Sequence, residues 1–161
     1  MRKHLTNVVI AGLGGQGVLR ASDILADVAV RAGFDVKKSE IKGMSQRGGS
    51  VTGDVRFGER VFSPMVPTGE ADFLLVLEPT QLEPQRHMLR PGGVLIKPDT
   101  IDAARLPHKK TLNVALLGVL SAHLPFREEL WLASLEAGFE PSFFAANKAA
   151  FLIGRATHSP A

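Results

Sequence analysis

Asn7-Val-Val-Ile-Ala-Gly12-Leu-Gly14-Gly15-Gln16-Gly17 decides how this chain opens. The apolar run Val8 to Ala11 is short and β-branched, which suits a buried strand, and Gly12 stops it. From Gly17 to Ala32 the residues Val18, Leu25, Val28 and Ala29 recur at helical spacing. Gly33 stands where a helix C-terminal glycine belongs, and Phe34 to Ile41 has strand character. Strand, glycine turn, helix and strand make a βαβ unit.

Further along, Lys42 to Ser50 holds three glycines and no periodicity, which predicts an irregular loop. Val51 to Phe57 alternates like a strand, Gly58-Glu59 reads as a turn, and Arg60 to Ser63 as its hairpin partner. Asp72 to Leu77 is a continuous apolar strand, followed by a Pro79-initiated helix to Leu89, a Pro91-Gly92-Gly93 turn and a strand over Val94 to Ile96. The remainder is helical in texture: Asn113 as N-cap of Val114 to Leu124, then Glu128 to Ala137, then Pro141-Ser142 to about Arg155. The expected fold is a three-layer α/β domain with a mixed sheet, a Rossmann-like opening βαβ, an antiparallel hairpin and helices on both faces, all in one domain over residues 1–161.

Composition narrows the function. The 161 residues are 45% hydrophobic, enough for one buried core. No signal-peptide pattern opens the chain and no apolar run approaches the roughly 20 residues of a membrane span, so a cytoplasmic protein is expected. With no Cys, these residues hold no disulfide, thiolate zinc site or Cys-ligated iron–sulfur cluster. The net charge of +3 is scattered, and one Trp and no Tyr offer no stacking platform, which argues against nucleic acid.

Gly12, Gly14 and Gly17 fit G-x-G-x-x-G, whose glycines permit a tight turn and close approach of backbone N–H groups to an anion at a helix N-terminus. Glu40, closing the second strand, falls where an acid would bind a ribose. An NAD(P)- or flavin-binding oxidoreductase domain is thus one reading, and glycines serving only helix–strand packing another. Against the nucleotide reading, the chain enters a loop and hairpin after the second strand, and its five His residues lie in unrelated contexts.

Gly12 to Gly17 taken with Ser39-Glu-Ile-Lys-Gly-Met44-Ser45-Gln46-Arg47-Gly48-Gly49-Ser-Val51 is more specific than either stretch alone. Together with Gly69 to Asp72, Leu77-Glu78-Pro79 and Pro91 to Gly93, the pattern resembles the beta subunit of indolepyruvate ferredoxin oxidoreductase. More broadly it is similar to the gamma subunit or domain of pyruvate and 2-oxoglutarate ferredoxin oxidoreductases, over roughly residues 7–155. The resemblance implies a non-catalytic subunit of an enzyme that oxidatively decarboxylates an aryl 2-oxoacid to an acyl-CoA and reduces ferredoxin. It places thiamine diphosphate, Mg and the iron–sulfur clusters on a large partner subunit, through which ferredoxin is reached. On this chain it implies no tightly bound cofactor and no metal, with coenzyme A at the interface, and it assigns no catalytic residue.

The residues expected to border that site are Gly12, Gly14, Gly15, Gln16, Gly17, Ser45, Gln46, Arg47, Gly48 and Gly49. Arg47 offers a planar donor fork for carboxylate or phosphate, or braces its own loop. Asn147 shares a helix face with Phe144 and Phe151, so its amide needs a partner within the helix or across a subunit contact. Met44 and Met65 suit an apolar contact patch or ordinary core gaps, and an isolated chain is expected to self-associate through a docking surface. A scaffold subunit without ligand contact is the remaining alternative.

Overall fold

The computed structural model describes residues 5–43 and 49–157. Strand β1 (Thr6–Leu13) leads through the glycine turn into helix α1 (Val18–Arg31). That helix ends as its sequence directs: Gly33 is left-handed at φ 92°, its N–H reaches Val30 O at 2.9 Å, and Phe34 N–H reaches Ala29 O at 3.0 Å. There follow β2 (Asp35–Lys42), β3 (Ser50–Gly58), β4 (Ala71–Val76), the short helix α2 (Leu82–Gln85) and β5 (Leu89–Ile96). Helices α3 (Leu112–Ser121), α4 (Glu128–Gly138) and α5 (Pro141–Thr157) complete the chain.

The five strands form one mixed sheet in the order β2-β3-β1-β4-β5. Strands β4 and β5 run parallel to β1, whereas β3 is antiparallel to both β1 and β2. This corrects the opening βαβ in one respect. Strands β1 and β2 are joined by α1 but are not neighbours, because β3 lies between them. The antiparallel partners of β3 are thus β1 and β2, and Arg60 to Ser63 is not a strand.

Side chains satisfy that segment where a ladder was expected. Asp35 accepts the Val61 N–H at 2.8 Å, Arg56 donates to Ser63 O at 2.9 Å and to Met65 O at 3.0 Å, and Asp54 accepts the Val66 N–H at 2.9 Å. Residues 61–66 therefore run as a strap tied to β2 and β3. Arg56 and Asp54 are themselves buried, and Arg56 Nε also donates to Asn7 Oδ1 at 2.9 Å.

The two faces of the sheet follow strand alternation. Val8, Ile10, Val51, Val55 and Phe57 face the large core formed with α1, α3, α4 and α5. On the other face Val9, Leu74 and Val76 pack with Val66 of the strap and with Leu82, Met88 and Leu89, in and after the short helical segment. Helical elements thus cover both faces, in three layers, though unequally. The helix expected from Pro79 to Leu89 is broken into a 3-10 turn, α2 and a second 3-10 turn, and the expected Pro91-Gly93 turn lies inside β5. An edge strand tolerates Pro91 because it needs no outward N–H, and the register shifts between Ala71 and Phe73 opposite it.

Helices α3 and α5 approach each other through two glycines. A Cβ on Gly118 would stand 2.1 Å from Phe151 O, and one on Gly154 would stand 1.8 Å from Ala115 O. No helix among the described residues is long and apolar enough to cross a membrane.

Candidate functional site

The glycine turn joins the end of β1 to the N-terminus of α1, and two of its glycines do conformational work. Gly15 and Gly17 lie at φ 87° and 82°, a left-handed region costly for other residues. Gly17 is also crowded: a Cβ there would stand 2.3 Å from Asn113 Nδ2, the atom that donates to Gly17 O at 3.2 Å. Gly14 N–H donates to Gly49 O at 2.9 Å, so the turn meets the end of the second glycine-rich segment. Gln16 binds inward, its Oε1 accepting the Leu13 N–H at 2.7 Å and its Nε2 donating to Glu78 Oε2 at 2.9 Å.

Helix α1 begins without a side-chain cap and without an acidic residue in its first turn. Among the described residues no side chain accepts from its N-cap end, where the positive end of its dipole favours an anion. Two clefts meet there. The first, about 720 Å³, runs between the turn, Lys42, Gly43 and Gly49. The second, about 850 Å³, is bounded by Gly15 to Gly17, by the exposed cations Arg20, Lys109 and Lys110, and by Phe139 and Phe143.

Arg20 borders both clefts and is held in place. Its guanidinium donates to Gly138 O at the end of α4 and lies over the Phe139 ring, 5.2 Å from the centroid. The 3-10 turn carrying Lys109 and Lys110 is capped by His108, whose Nδ1 accepts the Lys110 N–H at 3.1 Å. Cations, ring faces and an open helix N-terminus together suit an elongated anion with an aromatic portion.

Of the expected site residues, Gly12, Gly14, Gly15, Gln16, Gly17 and Gly49 come together here. Met44, Ser45, Gln46, Arg47 and Gly48 lie outside the described residues. Glu40 does not join the site. It lies exposed on the edge strand β2, opposite Gly53, and its carboxylate pairs with Lys38 at 3.3 Å. With β3 inserted between β1 and β2, Glu40 does not stand next to the turn, where a dinucleotide fold would place its ribose-binding acid.

Asn113 is not a helix cap but the second residue of α3, 7% exposed and turned to the glycine turn. Asn147 spends its Nδ2 on Phe143 O one turn earlier, at 2.9 Å, and borders the second cleft. Arg20, Glu78, Lys109 and Lys110 were not among the expected site residues, although Glu78 stands in the Leu77-Glu78-Pro79 element of the family pattern, directly after an apolar strand. Among the described residues no group of three or more His, Asp or Glu is placed to hold a metal.

The family model for pyruvate ferredoxin/flavodoxin oxidoreductase matches residues 7–157. The chain belongs to this family. Among relatives in the family, the indolepyruvate oxidoreductase subunit IorB of Thermococcus kodakarensis is 48% identical over 89 residues, 55% of this chain and 44% of that one. The matched stretch therefore spans less than half the length of that curated relative. The fold is shared with the gamma subunit of a keto/oxoacid ferredoxin oxidoreductase from Geobacter sulfurreducens PCA, at TM-score 0.81 and 22% identity, covering 96% of this chain and 97% of that one. It is also shared with a 2-oxoglutarate:ferredoxin oxidoreductase from Magnetococcus marinus solved with 2-oxoglutarate, coenzyme A and succinyl-CoA bound. The TM-score there is 0.85 at 20% identity, over 98% of this chain and 31% of that one.

Proposed function

We propose that this chain is the non-catalytic small subunit of a cytoplasmic, thiamine-diphosphate-dependent 2-oxoacid:ferredoxin oxidoreductase of the indolepyruvate type. The complex converts a 2-oxoacid, coenzyme A and two oxidised ferredoxins to an acyl-CoA, carbon dioxide, a proton and two reduced ferredoxins. The observation that carries this reading is the glycine turn and its helix N-terminus, bordered by cations and aromatic rings, on a cysteine-free chain of this family.

The residues agree with the division of labour that the family resemblance implies. A chain without Cys leaves the clusters to the large partner subunit, which also holds thiamine diphosphate, Mg and the route to ferredoxin. Thiamine diphosphate supplies the carbanion chemistry when bound there. This chain borders that site from the α1 end and receives coenzyme A at the interface. Coenzyme A carries a diphosphate, a further phosphate and an adenine, the chemistry that Arg20, Lys109, Lys110 and the Phe139 and Phe143 rings suit. Expressed alone, the chain exposes its docking surface and self-associates.

Co-expression with a thiamine-binding, cluster-bearing subunit tests the reading, with a tag on this chain and an assay of 2-oxoacid- and coenzyme A-dependent viologen reduction. Co-purification with turnover absent from either subunit alone is expected. No association, together with NAD(P) or flavin binding by this chain, would overturn it. Unchanged turnover after substitution of Gly12 to Gly17 would favour the scaffold alternative.

A further inference from the structure

Of the turn's own residues, Gly14 and Gly15 have no side chain and Leu13 is apolar, so Gln16 alone among them can hold its shape from within, while Asn113 of α3 donates to Gly17 O at its far end. Gln16 grips Leu13 twice, through its own N–H to Leu13 O at 3.1 Å and through Oε1 accepting the Leu13 N–H at 2.7 Å. Gly12 leaves room for that amide, since a Cβ there would stand 3.0 Å from Gln16 Oε1.

The far end of the Gln16 side chain is set from 62 positions away, where Nε2 donates to Glu78 Oε2 at 2.9 Å. Glu78 is a fixed point. Leu77 N–H donates to Ala11 O at 2.7 Å, continuing the sheet, and Pro79 restricts the residue before it, Glu78, to its extended backbone. An ionised carboxylate only accepts, so it admits one orientation of the amide, the one that leaves Oε1 facing the Leu13 N–H.

We propose that Gln16 and Glu78 are positioning residues that act as a latch on the glycine turn, aiming Gly15, Gly17 and the α1 N-terminus at the anionic portion of coenzyme A. The proposal rests on the reading above that this end of the chain receives that substrate. Glu78 acts through Gln16 and not by touching the ligand, and this separates the latch from a binding acid. Such a role is invisible in the glycine motif, because the motif does not contain Glu78.

The test uses the two-subunit complex with three chains: wild type, Gln16→Glu, and the swap Gln16→Glu with Glu78→Gln. Gln16→Glu sets two carboxylates against each other, so the KM for coenzyme A rises by about tenfold or more, the cost of a lost hydrogen bond to a charged group. The loss falls on KM more than on kcat, and deuterium uptake at the amides of residues 12–17 increases. The swap restores both readouts, because Glu at 16 still accepts the Leu13 N–H and Gln at 78 now donates. A swap as impaired as Gln16→Glu overturns the latch, since the Glu78 carboxylate would then act directly, and so does a Gln16→Glu complex unchanged in both readouts. Protection from exchange lost and restored with the coenzyme A KM constant throughout supports the latch and overturns the coenzyme A reading instead.

Discussion

Gly154→Ala puts the α3–α5 crossing to a quantitative test. The new Cβ would lie 1.8 Å from Ala115 O and 2.8 Å from the Ala115 carbonyl carbon, both backbone atoms that cannot rotate away. Reaching even 3.0 Å requires the helices to part by more than 1 Å, and α3 is buried along almost its whole length, from Asn113 to Ser121. Overpacking of this kind costs about 1–3 kcal/mol or more, while Ala in place of Gly returns about 1 kcal/mol of helix propensity. The clash involves two backbones, so the upper part of that range applies and the net loss is about 2 kcal/mol. For a chain of this length that corresponds to a Tm lower by roughly 4–8 °C. Urea unfolding followed by circular dichroism gives the free energy directly, and Gly118→Ala, whose Cβ would meet Phe151 O at 2.1 Å, should lose a similar amount. A Gly154→Ala protein as stable as wild type, or more stable, would show that propensity outweighs the close approach and would refute the reasoning.

Replacing Gly17 with Ala meets both a left-handed φ of 82° and Asn113, whereas Gly15→Ala meets its φ of 87° and no atom of the described residues within 4 Å, so Gly17→Ala should destabilise more than the about 1–2 kcal/mol expected for Gly15→Ala in a denaturant titration. Arg56→Met leaves Asn7 Oδ1, Ser63 O and Met65 O without their donor; a loss of about 3 kcal/mol is expected, with faster amide exchange at the Val66 N–H than anywhere in β4. Burial raises the Asp54 carboxyl above its ordinary value, against the opposing Val66 N–H and Arg56 charge. The protonated form is therefore favoured on folding: stability from this group is full below the unfolded value near 3.9 and is lost as pH rises through the raised folded one. Asp54→Asn should flatten that acid-side slope in thermal melts across pH, and an unchanged slope would assign it elsewhere. Lys109→Ala and Lys110→Ala should each raise the KM of the complex for coenzyme A by up to about fivefold, less at high salt, as exposed charges do.

The opening of the chain was legible because everything in it is local. Val8 to Ala11, the glycine turn, the α1 period and the Gly33 stop lie within one stretch, and each residue's backbone preference agrees with its neighbours'. For the same reason β3, β4, α4 and α5 lie close to where periodicity put them. The paired glycine segments pointed to the family, and Gly14 meets Gly49 at the end of the second.

What failed or stayed hidden depends on partners far apart in sequence. Insertion of β3 between β1 and β2 is a choice of pairing, and alternation within Val51 to Phe57 is the same whichever strand lies beside it. That insertion is what removes Glu40 from the turn. Arg60 to Ser63 carries strand-like residues, yet Asp35 and Arg56 capture its polar backbone groups before a ladder can. Gly118 and Gly154 look like ordinary helix glycines until the two helices cross, and Asn113 looks like a cap until Gly17 O is found beside it. Short-range backbone preference thus determined the elements and the glycine turn, while long-range pairing, which no local period encodes, decided the strand order, the strap and the Gln16–Glu78 contact that shapes the site.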